Sequence, residues 1–225
     1  MQCLVYRLGQ TEYNQAYNLQ KSLLSLRIEG EITDTLLLLE HPPTITIGKF
    51  GKSENILASR RQLAAAGICL FFTDRGGDTT YHGPGQLVAY PIINLRQSGM
   101  SIRQYIHNLE ELIIRVLGGF DIAADRDNGY TGVWVKDEAI AAIGLSVKRW
   151  VSMHGLSLNV NTNLNHFSLI RPCGFTDRKV TSISHLLNRH VPMNVVTEQL
   201  LACFSEVFNA DIELRSETDL VRSLS

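Results

Sequence analysis

The chain has 225 residues, which at about 150 residues per domain is one large domain or two small ones. Lys plus Arg number 21 against 22 Asp plus Glu, a net charge of −1, so there is no basic excess to neutralise a nucleic-acid backbone as the main task. Hydrophobic residues make up 44% and charged residues 19%, enough apolar material for a real core, which excludes wholesale disorder.

The longest apolar runs, such as Leu36 to Leu39 and Leu87 to Ala89, fall far short of the roughly 20 residues that a bilayer span needs. The first residues form no apolar secretory segment, and Glu12 breaks a basic transit-peptide pattern. The expectation is a cytoplasmic protein without a membrane or nucleic-acid partner. Cys3, Cys69, Cys173 and Cys203 are widely spaced with no C-x-x-C pair, so neither a zinc ribbon nor a redox pair is written here. They are expected to be free thiols, most of them small buried hydrophobes.

In chain order, Tyr13, Ala16, Tyr17, Leu23 and Leu24 fall mainly at helical spacing and predict a helix over 13–24. Apolar segments bounded by Pro or Gly predict strands over 35–40, 44–47, 68–72 and 87–93. Ser101 to Gln104 has the S-x-x-Q form of a capping box. From Ile102 to Val116 one apolar helical face follows, closed by Gly118-Gly119. Residues 132–135 and 140–143 predict a hairpin joined by 136–139, and 152–160 a further strand. A last helix is expected over 194–208. No Pro/Gly/Ser-rich linker or repeat interrupts the chain, so 1–225 reads as a single domain. The βαβ alternation of a Rossmann sheet is missing. The class expected is α/β in the broad, α+β sense: a mixed, mainly antiparallel sheet with packed helices.

The most unusual stretch is Arg75-Gly76-Gly77-Asp78-Thr79-Thr80-Tyr81-His82-Gly83-Pro84-Gly85-Gln86, with four glycines just before an apolar strand. Glycines let backbone approach a ligand closely, and their N–H groups can hold an oxygen; a surface loop rich in turn residues has the same composition. Gly83-Pro84-Gly85 does not continue as a dinucleotide fingerprint, and no G-x-x-x-x-G-K-[ST] is present. Ala141-Ala142-Ile143-Gly144 is small and apolar, suited to an extended ligand. His154 precedes Gly155 at the head of a strand and reads first as a hydrogen-bonded structural histidine. No helix adds a second ligand to His82 or His154, so no metal site is expected. Cys173, between Pro172 and Gly174, has a rigid and open setting that suits either a structural or a nucleophilic thiol.

These segments together resemble the lipoyl(octanoyl) transferase family. The R-G-G-x-x-T-Y-H-G-P-G-Q block is specific. Glu40-His41-Pro42-Pro43, Ala141 to Gly144, Arg149-Trp150-Val151, His154-Gly155, Leu158-Asn159-Val160 and Pro172-Cys173-Gly174 are similar to the family in the same order, over about residues 35–187. The resemblance implies the fold shared with biotin and lipoate protein ligases. It implies an acyltransferase of lipoate biosynthesis with no cofactor, moving an octanoyl or lipoyl group from octanoyl-acyl carrier protein to a lysine on lipoyl domains of 2-oxoacid dehydrogenases and on the glycine cleavage H protein. Cys173 would carry the acyl group as a thioester. The pocket would involve Arg75, Gly76, Gly77, Asp78, Thr79, Thr80, Tyr81 and His82, with Ala142, Ile143, Gly144, Gly155, Leu156 and Ser157. A buried eight-carbon chain gains about 0.8 kcal/mol per CH₂.

The family carries a lysine immediately before I-A-A-I-G, where it favours the thiolate. Here that place is Ala139, and Lys136 and Lys148 are the neighbouring lysines in sequence. A thiol of ordinary pKa near 8.5 is only about 3% ionised at pH 7, so acylation is expected to be slow and transfer to the acceptor slower still. Two other readings compete: an ATP-dependent lipoate-protein ligase of the same fold, and a non-catalytic acyl-carrier-binding relative. Recognition of an acidic carrier would fall to local basic patches, Arg60-Arg61, Arg171 or Arg178-Lys179.

Overall fold

The computed structural model describes residues 1–127, 129–172 and 178–223. Its strands are β1 (Gln2–Gln10), β2 (Asp34–Glu40), β3 (Thr44–Ile47), β4 (Cys69–Phe72), β5 (Thr79–His82), β6 (Gln86–Ile92), β7 (Asp125–Arg126), β8 (Gly132–Val135), β9 (Glu138–Lys148), β10 (Val151–Asn159), β11 (Lys179–Val180) and β12 (Asp211–Arg215). The helices are α1 (Tyr13–Glu29), α2 (Arg60–Ala65), α3 (Ile102–Gly118), α4 (Ile183–Leu187), α5 (Met193–Phe208) and α6 (Glu217–Ser223).

A large sheet runs in the order β12-β1-β2-β6-β10-β9-β8-β7, with β11 also paired to β9. A smaller one runs β4-β3-β5. The ladders from β2 through β6, β10, β9 and β8 to β7 are antiparallel; β1 runs parallel to both β2 and β12. The architecture is thus the mixed, mainly antiparallel α/β fold expected.

The uninterrupted run Leu36–Leu39 is explained by burial on both faces of the sheet. Successive strand side chains point to opposite sides. Leu36 and Leu38 pack with Tyr105, Leu109 and Val116 of α3 and Leu200 and Phe204 of α5. Leu37 and Leu39 pack with Ala16 and Leu23 of α1 on the other side. The small sheet has its own core of Ile45, Leu63, Ile68, Tyr81, Phe167 and Ile170.

Several boundaries differ from the sequence reading. Helix α1 continues to Glu29 and stops at Gly30, whose φ of 83° and amide bond to the Arg27 carbonyl form a left-handed cap. Ser101 caps α3 by accepting from the Gln104 amide, but the Gln104 side chain turns to Asn108. A complete capping box instead begins α2, at Ser59 and Gln62. The hairpin turn is shorter than expected, Lys136-Asp137, because β9 already starts at Glu138. Thr79–His82 is a fully buried strand set among the glycines rather than a loop. Strands β1 and β12 were not anticipated. Cys3 and Cys203 are buried free thiols, whereas Cys69 is exposed on β4.

Candidate active site

The glycine-rich segment before β5 is fixed to both sheets. Gly76 donates its amide to the Leu145 carbonyl of β9 at 2.7 Å. Gly144 allows this closeness, since a Cβ there would stand 2.9 Å from the Gly76 oxygen. Gly77, with φ of 85°, turns the chain back so that its carbonyl accepts from Phe50. Arg75 is the pin. Its Nε donates to Thr46 Oγ1 at 3.1 Å, and its Nη2 donates to the Thr46 and Asp78 carbonyls at 2.8 and 2.6 Å. Its Nη1 donates to the Gly76 carbonyl. A buried guanidinium so engaged with protein oxygens holds the wall together. Asp78 is similarly occupied, accepting from the Thr79 amide and the Asn55 side chain.

Strand alternation divides the rest of the block. Thr80 and His82 face a cavity, whereas Tyr81 points into the core of the small sheet and meets His166 Nδ1 through its hydroxyl at 2.7 Å. The cavity's small-sheet wall is Arg75, Gly77, Asp78, Thr80 and His82. The large sheet supplies Ala142, Ile143 and Gly144 from β9 and Gly155, Leu156 and Ser157 from β10. Of the residues the sequence suggested, the structure brings all of these together; Gly76, Thr79 and Tyr81 support the wall from behind. Three further residues complete the lining: Tyr13 of α1, Tyr90 of β6 and His154. Sequence reasoning placed the tyrosines in helix or strand patterns that look like ordinary core. The enclosed cavity volume is about 50 Å³, below the usual range of small-molecule pockets.

A second cavity adjoins the first through shared Thr80, Ala142 and Ser157. Its other walls include Gln86, Ala139, Asn159, Phe167, Pro172 and Val180. Ala139 therefore lines the same cavity as Pro172, the residue that precedes Cys173 in sequence. Cys173 itself lies outside the described residues. Lys136 sits in the β8–β9 turn and Lys148 at the opposite end of β9, roughly 30 Å along an extended strand from Ala139. Neither lines either cavity.

The histidines around the first cavity are neutral at pH 7. Burial lowers His41 to about 4. Its Nδ1 donates to the Thr11 carbonyl at 2.7 Å, so its Nε2 accepts from the Tyr90 hydroxyl at 2.8 Å. Burial also holds His154 below its ordinary value in spite of Asp74. Its Nε2 lies 2.9 Å from the Asp74 carboxylate, which that hydrogen bond, foremost, holds down to about 2. His154 has a φ of 61° within β10, an unusual left-handed setting for a non-glycine residue in a strand. Burial likewise pushes His82 well below the usual imidazole range. With Arg75 engaged and these rings uncharged, the cavity can take an uncharged, extended apolar group. The hydroxyls of Thr80 and Ser157, residues 7% and 6% exposed, have no hydrogen-bond partner among the described residues, and both face the junction of the two cavities.

A narrow cleft between two sheets, lined by small residues and buried uncharged rings, is what these features define. The chain belongs to the family of the lipoyl protein ligase A/B catalytic domain, whose profile matches residues 12–205. Among its relatives, a protein of Alkaliphilus metalliredigens named octanoyltransferase is 53% identical over 209 residues, covering 92% of this chain and 96% of the relative. One of Desulforamulus reducens with the same name is 46% identical over 221 residues, covering 98% and 97%. The crystal structure of lipoate-protein ligase A bound with ATP superposes with a TM-score of 0.79 at 18% identity, covering 100% of this chain and 94% of that one. At that identity the likeness concerns the fold alone.

Proposed function

We propose that this chain is an octanoyltransferase of lipoate biosynthesis. It takes an octanoyl or lipoyl group from acyl carrier protein, holds it as a thioester on Cys173, and passes it to a lysine of a lipoyl domain. The supporting observation is that the two cavities share Thr80, Ala142 and Ser157 in their walls. The first is walled by small and apolar residues of β9 and β10, and the second has Ala139 and Pro172 in its lining. Relatives at 46–53% identity bearing the name octanoyltransferase favour this reading over an ATP-dependent ligase. The proposed location is the cytoplasm; no helix among the described residues is long and apolar enough to cross a membrane.

In this reaction a thioester is already an activated acyl donor, so exchange onto a thiol needs no nucleotide. The apolar chain lies along Ile143 and Leu156, where Gly144 and Gly155 bring backbone close to it. The thioester carbonyl falls near the junction, within reach of the Thr80 and Ser157 hydroxyls, which are placed to donate to its oxygen. The proposed acceptors are lipoyl domains of 2-oxoacid dehydrogenases and the glycine cleavage H protein.

Intact-mass measurement after incubation with octanoyl-acyl carrier protein tests this reading. One octanoyl adduct that disappears in Cys173→Ser is expected. An adduct elsewhere, or none over hours, would overturn it, and pyrophosphate release with lipoate and ATP would favour the ligase.

A further inference from the structure

The deep end of the first cavity is built from rings. Tyr13 of α1, Tyr90 of β6 and His154 of β10 line it and are buried, whereas Ala142, Ile143 and Gly144 on its β9 side are partly exposed. Each ring is held by a partner outside the lining. The Tyr13 hydroxyl meets Thr73 Oγ1 at 3.1 Å, the Tyr90 hydroxyl donates to His41 Nε2 at 2.8 Å, and His154 Nε2 lies 2.9 Å from Asp74. His41 also joins the two tyrosines. Its ring centroid stands 5.1 Å from that of Tyr13 and 5.9 Å from that of Tyr90, and Tyr90 meets His154 edge-on at 6.3 Å. These are the spacings of packed aromatic pairs. With their hydroxyls engaged elsewhere, the tyrosines offer the cavity apolar ring surface.

The His154 ring reaches this place through a break in its own strand. The ladder between β10 and β6 ends at Leu156 and Ala89. Farther along, β6 carries Pro91, which has no amide to donate. The His154 backbone turns left-handed there, with φ of 61°, and its amide donates instead to the buried Gln20 side chain of α1 at 2.8 Å. Helix α1 thus supplies one ring and the bond that fixes another.

The opposite end of the cavity adjoins the second one at Thr80, Ala142 and Ser157. In the β9–β10 ladder Ser157 pairs with Ala142 and His154 with Leu145, a separation of about 10 Å along extended strand. An extended eight-carbon chain is of similar length. We propose that Tyr13 and Tyr90, with His154 beside them, form the stop that sets the length of acyl chain this site accepts. This rests on the octanoyltransferase reading and gives it specificity-determining residues. Each enclosed methylene tightens binding about fourfold until the terminal methyl meets the rings. A longer chain must then displace packed side chains, which a filled interior resists.

The test is binding of acylpantetheines with chains of six to twelve carbons to the full chain carrying Cys173→Ala, so that no acyl transfer intervenes. Affinity should rise about fourfold per CH₂ up to eight carbons and fall beyond. Tyr90→Leu and, on a different element, Tyr13→Leu should each move the maximum to longer chains, with decanoyl overtaking octanoyl. Tyr90→Phe, which keeps the ring, should leave the maximum at eight, a distinction that general loosening of the core would not make. A maximum that stays at eight carbons in the leucine variants overturns the stop, and so does a parent profile that keeps rising to twelve. Binding of no acyl chain at any length by the parent defeats the octanoyltransferase reading, and the proposal with it.

Discussion

The Gly76 amide and the Leu145 carbonyl, 2.7 Å apart, join the glycine-rich segment to the large sheet. The cavity wall therefore depends on how closely residues 75–77 approach β9. Gly144→Ala would put a methyl 2.9 Å from the Gly76 oxygen and 3.3 Å from the Arg75 side chain. It is expected to cost roughly 1–3 kcal/mol and to weaken acyl binding. Denaturant unfolding and titration with an octanoyl thioester analogue measure both; a variant equal to the parent in both would contradict this account of the wall.

Restoring the basic side chain at the second cavity should raise activity. In Ala139→Lys the ammonium would enter the space bounded by Thr80, Ser157 and Asn159. If it acts by ionising the thiol, alkylation of Cys173 by iodoacetamide at pH 7 should accelerate by at most about 30-fold, the inverse of the 3% thiolate fraction. A larger gain in turnover than in alkylation would assign the excess to proton transfer. No change in either would show that position 139 does not govern the thiol.

Stability should fall on acidification in a window set by buried imidazoles. The unfolded His41 titrates near 6.5 and the folded one near 4, so between these values the unfolded chain binds more protons and stability declines as pH falls. For His41 alone the full effect is about 3 kcal/mol, and His82 and His154 shift in the same direction. Thermal melts from pH 7 to 4 should show this slope, and His41→Gln should flatten it. A midpoint independent of pH over that range would refute neutral burial.

Away from the site, Arg27 Nε donates to Asp34 at 2.8 Å, with the two side chains 7% and 5% exposed. Asp34 also accepts the Asn94 amide at 2.9 Å. Asp34→Ala would leave a buried guanidinium without its anion, at a cost of about 3–5 kcal/mol. The double variant Arg27→Met with Asp34→Leu should lose less than that single change. Urea denaturation of both decides it.

Much of the frame was legible because its signal is local. The apolar face of α3 and the run Leu36–Leu39 reflect burial that a few turns of sequence reveal. Strand β1 was not legible: Arg7, Gly9 and Gln10 interrupt its alternation, and its parallel partner β12 comes from the far end of the chain. Thr79–His82 was concealed by flanking glycines, although its pairing with β3 fixes which side chains reach the cavity. The glycine block and the two small-residue segments were found by composition. Tyr13, Tyr90 and His154 were not assigned to the site, since a side chain lining a cavity and one filling a core occupy the same positions in a pattern. The hydrogen bonds from His82 to Gln86 and from Gln86 to Asn159 join β5, β6 and β10 in a way that spacing does not encode.

Thr80 and His82 come from one sheet and Ser157 from another, and the strands of the two sheets share no ladder. The gap between them is bridged at one end by the Gly76 amide and the Leu145 carbonyl, and away from that bond its width follows side-chain volume in the small sheet's interior. Substrate range should therefore respond to remote positions such as Ile45 and Leu63, whose bulk supports the small-sheet wall from behind.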